Sequence, residues 1–281
     1  MRIQQQTNVT PYYPGGTVIV NFPLGVTYEQ IKVQLLGGLT AEQIDLATIK
    51  VNGKPVFTVR GTDLKTENLY DGKANDDFTV WFDFTQQNAK SSSANGKPTS
   101  QAAEMLVACY PSNLFQSMTL ELAIDAGAPA AGTGGVTVYT TENDPSQNQF
   151  ILKQLYAQYN FAIAQDNDIA LPVGNSGGII KQLFFHQTNY GAGGAGSISK
   201  IQVRNAGVVI MEATPAQLAT VQAQYGKVQE AGLLVLDYYL QGLREKLLNT
   251  TKSNNVFVRL TTTGGPVTLT GYTRLLDPAG R

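Results

Sequence analysis

The feature that most limits what this chain can become is a stretch from Ile49 to Arg60 that recurs later in the sequence. Ile49 and Val51 alternate with polar neighbours, and Asn52-Gly53 follows. That dipeptide suits a two-residue hairpin turn, because both central positions of the turn need positive φ. Val56, Phe57 and Val59 then open a return strand. The stretch from Ile201 to Ile210 has the same strand, polar turn (Asn205-Ala206-Gly207) and strand, displaced by 152 residues. Its neighbours recur in the same order. Phe22-Pro23-Leu24-Gly25 answers Leu171-Pro172-Val173-Gly174 at a displacement of 149. Phe78 to Phe84 answers Gly232 to Tyr238, and Val136-Thr137-Val138-Tyr139 answers Val267-Thr268-Leu269-Thr270. Four landmarks in one order imply a duplicated unit.

A chain of 281 residues can form one large or two ordinary domains, and the repeat selects two. The expected division is an extended N-terminal arm over 1–16, a first unit over 17–143 and a second over 144–281. The junction is placed in Thr140–Gln149, where Asp144-Pro145 is a turn signal. Short runs rich in Val, Ile, Phe and Thr predict strands at Thr17–Phe22, Glu29–Leu36, Ala47–Asn52, Pro55–Arg60, Asp77–Thr85, Ser117–Asp125 and Gly135–Thr141. In the second unit they fall at Asn167–Leu171, Gly178–Gln187, Ser197–Arg204, Val208–Ala213, Leu233–Tyr239, Asn255–Thr262 and Pro266–Leu275. Phe150–Ala164 reads equally as helix or strand. Short helices are expected after Ser100, after Thr214 (N-cap, with Pro215 at the first helical position) and over Gln241–Asn249. Gln86–Ser100 is a long polar loop. Seven or eight strands per half, at this spacing, define an all-β chain of two tandem β-sandwiches with short inserted helices.

Charged residues make up 15% of the chain, against about 25% in an average soluble domain. A weakly charged surface is easier to bury against copies of itself, because fewer ions must be desolvated. The net charge of −1 offers no basic footprint for nucleic acid. Cys109, the single cysteine, excludes an intrachain disulfide and a cysteine zinc site. No run of 18 apolar residues is present to span a bilayer, and the first residues lack the apolar core of a signal peptide. The expectation is a protein made and used without export through a membrane.

Several motifs invite a catalytic reading and fail on order or context. Gly174-Asn175-Ser176-Gly177-Gly178 fits Gly-x-Ser-x-Gly, but the single histidine, His186, follows it with no carboxylate between them. Gly191 to Gly196 fits Gly-x-Gly-x-x-Gly, yet Ser197 to Val203 alternates as a strand where a dinucleotide site requires a helix. Asp83 and Asp237 occupy matched places in the repeat, which duplication explains without glycosidase chemistry. Asp166/Asp168 and Asp76/Asp77 offer carboxylates to a hard cation such as calcium but complete no ligand set. Tyr12-Tyr13, Tyr156/Tyr159 and Tyr238-Tyr239 suit interface packing better than sugar stacking. No catalytic, cofactor-binding or metal residue is assigned, and the chain is not expected to be an enzyme. Structural calcium is the one cofactor left open.

The tandem order, together with Phe22 to Ile31, Met118 to Asp125 with its following Ala/Gly run, and Gly232 to Leu248 leading into Val256-Phe257-Val258, resembles the double jelly-roll major capsid proteins of icosahedral phages with an internal membrane. Within that lineage, which includes tectiviruses and adenoviruses, the likeness is to the corticovirus form. The resemblance implies two eight-stranded jelly rolls standing side by side and a homotrimer presenting a pseudo-hexagonal tile. It further implies a place in the virion, assembly in the host cytoplasm, and contacts with itself and other virion proteins. Loops Gln86–Ser100 and Thr188–Ser197 would face outward, and the arm with Arg2 would contact internal lipid headgroups. Two alternatives stand beside it: a carbohydrate-binding host-recognition spike, and a minor capsid component.

Overall fold

The computed structural model of the chain describes residues 1–73, 76–91, 99–147 and 150–278. Part of the polar loop (92–98) and the end of the expected junction (148–149) lie outside the described residues. The chain divides into two units, Met1–Leu155 with Asp277–Arg281, and Tyr156–Leu276.

In the N-terminal unit the strands are β1 (Arg2–Gln5), β2 (Thr17–Asn21), β3 (Thr27–Leu36), β4 (Ile44–Val51), β5 (Lys54–Val59), β6 (Thr79–Asp83), β7 (Tyr110–Pro111), β8 (Met118–Ile124) and β9 (Gly135–Asn143). They form two sheets, ordered β1-β9-β3-β6 and β2-β8-β4-β5, with the short β7 beside the start of β3. Leaving aside the short β7, the chain alternates between the sheets except at the β4–β5 hairpin, which is the jelly-roll path. In the core strands alternation makes one face apolar. In β8 it buries Met118, Leu120, Leu122 and Ile124, and in β3 it buries Ile31, Val33 and Leu35. At about 1.5–3 kcal/mol for each fully buried side chain, these inward faces hold the sandwich together. Phe57 of β5 meets Phe82 of β6 edge-on, at 5.5 Å between ring centroids, and so joins the two sheets.

The C-terminal unit has β10 (Phe150–Phe161, whose leading residues belong to the N-terminal unit), β11 (Asp166–Ala170), β12 (Ile179–Gln187), β13 (Ser197–Asn205), β14 (Val208–Ala213), β15 (Leu233–Asp237), β16 (Leu248–Asn249), β17 (Val256–Thr263) and β18 (Val267–Pro278). The order is again β10-β18-β12-β15 against β11-β17-β13-β14, with β16 beside the start of β12 as β7 stands beside β3. One core cluster takes residues from both sheets, among them Ile169, Leu183, Ile201, Leu236, Val258 and Leu269.

The hairpins that signalled the duplication match in detail. Asn52 (φ 52°) and Gly53 (φ 76°) are both left-handed, as are Ala206 (φ 49°) and Gly207 (φ 84°), which is the type I′ geometry. Each hairpin slips register once, between Ile49 and Lys50 and between Val203 and Arg204. Aligned on their turns the hairpins lie 154 residues apart (206 − 52), two more than the sequence match of Ile49 with Ile201. Strands β3 and β12 keep the displacement of 152, so the C-terminal unit has two extra residues between its third and fourth strands.

Three expectations are corrected. The residues expected as an arm contain β1, paired with β9 from Arg2↔Glu142 to Gln5↔Tyr139, and this strand completes the eight of the first roll. The helix expected over Gln241–Asn249 is a single 3-10 turn, Arg244–Lys246, followed by β16, because pairing Leu248 with Ile180 claims that backbone for the sheet. An α-helix, α1 (Gly61–Tyr70), stands where the sequence showed no element. Its buried face includes Asp63, Glu67 and Asn68, so it carries no apolar stripe to read. The ambiguous Phe150–Ala164 segment is strand β10. Helices α2 (Gln101–Leu106) and α3 (Pro215–Gln224) follow their expected caps: Ser100 accepts from the Ala103 N–H at 3.2 Å and Thr214 from the Gln217 N–H at 3.3 Å.

The two turns make opposite predictions. Ala206 holds a left-handed conformation that Asn adopts more cheaply, so Ala206→Asn is expected to stabilise the chain by about 1 kcal/mol. Asn52 also accepts from the N–H groups of Gln116 (2.7 Å) and Ser117 (3.2 Å). Asn52→Ala should therefore cost about 2–3 kcal/mol. Urea unfolding of the two variants beside wild type checks both signs.

Candidate functional site

Most of the residues singled out for chemistry hold local structural contacts, and the side chain of Ser176 lies outside the described residues. The Gly174–Gly178 motif is a turn between β11 and β12 pinned on Thr250. The Gly174 N–H donates to its carbonyl at 3.1 Å and the Gly178 N–H to its hydroxyl at 3.2 Å. A Cβ on Gly177 would stand 2.9 Å from the Thr250 carbonyl, and one on Gly178 2.6 Å from Leu275. These glycines serve close packing, and no helix follows to make a nucleophile elbow. The Gly191–Gly196 loop leads into strand β13, and a Cβ at Gly196 would collide with the Gly265 carbonyl at 2.1 Å. His186 is buried in β12, edge-on to Tyr272 at 5.5 Å.

Among the described residues, no three His, Cys, Asp or Glu side chains converge as a metal site. Asp168 and Asp166 face Arg259 across β11 and β17. Arg259 grips Asp168 through two N–H donors at 2.7 and 2.8 Å and lies 3.7 Å from Asp166. Hydrogen bonds from Arg259 hold the Asp168 carboxyl below the usual carboxylate range. The Phe78 N–H and the Thr79 hydroxyl do the same to Asp76, and Asp77 pairs with Lys65. The tyrosines have separate local partners. Tyr12 donates to the Pro129 carbonyl, Tyr156 packs on Tyr272, and Tyr239 lies beneath Lys181. Cys109 is buried, which pushes its thiol far above the ordinary range and leaves it inert.

What the matched aspartates do is structural and identical in kind. Asp83 stands opposite Gln30 in the β6–β3 pair, and Asp237 opposite Gln182 in the β15–β12 pair. The Gln30 amide donates to Asp83 at 3.0 Å and the Gln182 amide to Asp237 at 2.8 Å. The second oxygen of each aspartate accepts the backbone N–H two residues on, from Thr85 at 2.9 Å and Tyr239 at 2.8 Å. One carboxylate thus fixes strand register and turns the chain at the strand end. A second lock ties helix to strand. Asn68 of α1 donates to the Trp81 carbonyl at 2.8 Å, and Gln222 of α3 to the Val235 carbonyl at 2.7 Å. Sequence order revealed the aspartates, whereas their glutamine partners needed the strand pairing to be seen.

Two exposed surface features stand apart from these structural contacts. In the N-terminal unit a groove of about 380 Å³ runs over the outer face of β1, β9, β3 and β6, lined by Ile3, Lys32, Gln34, Trp81, Tyr139 and Thr141. Lys32 and Lys73 lie 5.2 and 5.9 Å from the centre of the Trp81 ring. In the C-terminal unit Val208, Val209 and Ile210 along β14, and Val221 on α3, are exposed at 66, 40, 49 and 45%. Exposed large apolar groups gathered on a sheet edge mark an interaction surface.

Two rolls of one topology, built on duplicated locks, define a double jelly-roll fold. Residues 3–140 match the model of the viral coat protein P2 N-terminal domain, and residues 151–278 that of the viral coat protein P2 C-terminal domain. The chain belongs to the viral coat protein P2 family, a family of structural capsid proteins of the virion. The fold is shared with the major capsid protein P2 of bacteriophage PM2, at 15% identity and a TM-score of 0.82, over 98% of this chain and 97% of that one. A chain in the atomic structure of Sulfolobus turreted icosahedral virus shares it at 12% identity and a TM-score of 0.65, over 98% and 90%. The PBCV-1 capsid protein does so at 13% and 0.63, over 98% and 92%. No curated protein sequence matches the chain.

Removing a register lock should destabilise its own roll. Asp237→Ala leaves the buried Gln182 amide and the Tyr239 N–H without their acceptor, an expected cost of about 2–3 kcal/mol by urea unfolding, with Asp83→Ala similar. The Asp168–Arg259 pair contributes only while Asp168 is ionised. Because its folded pKa is depressed, that contribution is full above the ordinary Asp value and lost as pH falls through the depressed one. Asp168→Asn should lower stability slightly at neutral pH and flatten the acid limb of stability against pH.

Proposed function

We propose that this coat protein is the shell-forming unit of an icosahedral virus with an internal membrane, assembled as a homotrimer whose three chains supply six jelly rolls to a pseudo-hexagonal capsomer. The observation that carries the reading is the duplication itself. Two rolls of the same strand order on one chain let three copies build a near-sixfold tile with a single kind of repeated contact between chains. Low charge and the exposed apolar residues of β14 and α3 suit such a contact. The loops around Gln86–Ser100 and Thr188–Ser197 would decorate the outer surface. Headgroup contact through Arg2 would have to compete with Glu142, which lies 3.6 Å from it.

The reading requires no catalytic group and no bound metal, and its partners are copies of the chain and other virion proteins. Sedimentation equilibrium should give a species of about 91 kDa, three times the 30.2 kDa chain, and purified particles should hold this chain as their most abundant protein. A monomer at micromolar concentration, or a low copy number per particle, overturns it.

A further inference from the structure

The matched edges of the two rolls are treated differently, and the difference identifies a contact. In the N-terminal unit the outer edge of β5 is covered. Residues 150–155, the leading part of β10, run parallel to it with Gln154 opposite Phe57. The same segment is tied down by Leu152, whose N–H donates to the Ala108 carbonyl at 3.1 Å and whose carbonyl accepts from Tyr110. Gln154 also reaches the buried Glu67 of α1 at 3.1 Å. With this cover, Val56 and Phe57 are 4 and 2% exposed.

In the C-terminal unit the equivalent strand is β14, and no strand covers its outer edge among the described residues. The hairpin alignment sets Ile210 against Val56, and Ile210 is 49% exposed. The helix lock, Asn68 with Gln222, sets Val221 of α3 against Glu67. Where the covered edge has a carboxylate meeting a glutamine amide, the bare edge has an exposed valine. The strand that belongs there must therefore bring an apolar residue.

We infer that β1 of a second copy of this chain covers the β14 edge and packs against Val221. Strand β1 has the rank of β10: each opens its roll, and each lies beside the last strand of that roll, β9 or β18. Among the described residues it bonds to β9 on one side only and no strand pairs with its other edge, and its four residues are all exposed. It carries the required apolar group in Ile3, which is 72% exposed. Pairing two bare edges satisfies both rows of backbone donors and acceptors and removes two aggregation-prone strands from water. The contact is heterologous, β1 to β14, so threefold repetition closes it into a ring in which every β1 edge and every β14 edge is paired.

This contact rests on the homotrimer reading, and the test separates the two. Hydrogen exchange on the wild-type trimer should show the outward amides of β14 and β1 at least about tenfold slower than in a dissociated chain. Val221→Glu, Ile210→Glu and Ile3→Glu, each at an exposed site, should convert the species of about 91 kDa into the 30.2 kDa chain while far-ultraviolet circular dichroism is unchanged. A trimer that persists in all three variants, with β14 amides exchanging freely, overturns this contact and leaves the trimer standing. A monomeric wild-type chain overturns both.

Discussion

A sandwich buries the inner faces of its sheets, but it has no means of pairing its own outermost strands. That constraint governs this molecule. In each unit alternating side chains close the core between two four-stranded sheets, and every strand inside a sheet is satisfied on both sides. The unpaired N–H and C=O groups at the edges remain, and they must be solvated, blunted or matched with another strand. In a coat protein the third solution is useful, because an edge that cannot be satisfied within one chain becomes a reason to assemble.

Duplication supplies the parts and shows which are structural. The aspartate–glutamine register lock, the Asx turn on the same carboxylate, the amide bond from helix to strand and the type I′ hairpin with its register slip all occur in both units. Only a handful of the residues involved are the same amino acid in both copies. Ala206 replaces Asn52 in the turn, and Gln222 replaces Asn68 in the helix lock. What has been kept is the hydrogen-bonding role at each position, since a buried backbone carbonyl or strand-end carboxylate needs a donor whatever residue supplies it. Departures from the pattern are more telling. Glu67 against Val221, and Val56 against Ile210, mark where the two units meet different surroundings.

Much of the fold was legible because its signals are local. Asn52-Gly53 and Ala206-Gly207 locate hairpins, Thr214-Pro215 starts a helix, and alternation in Met118 to Ile124 fixes which face of β8 is buried. The failures were non-local. Helix α1 buries Asp63, Glu67 and Asn68, so its sequence resembles a polar loop until the strand it bonds to is present. Strand β1 has four exposed residues and becomes a strand only because β9, more than a hundred residues later, offers it an edge. The candidate assembly surface divides in the same way. Low charge and scattered valines were readable, but their concentration on β14 and α3 was not.

The sequence by itself determined that this is an all-β chain of two related halves, where each half turns, and that its tempting glycine motifs lack the partners catalysis needs. Those conclusions follow from residue order, since turn preference, strand periodicity and the position of a single histidine are properties of neighbours along the chain. The tertiary structure alone decided which strands share a sheet, which aspartate meets which glutamine and which of two equivalent edges is left bare. These depend on backbone hydrogen bonds between segments tens to hundreds of residues apart. Strand pairing is largely indifferent to side-chain identity, so the linear sequence leaves little trace of it.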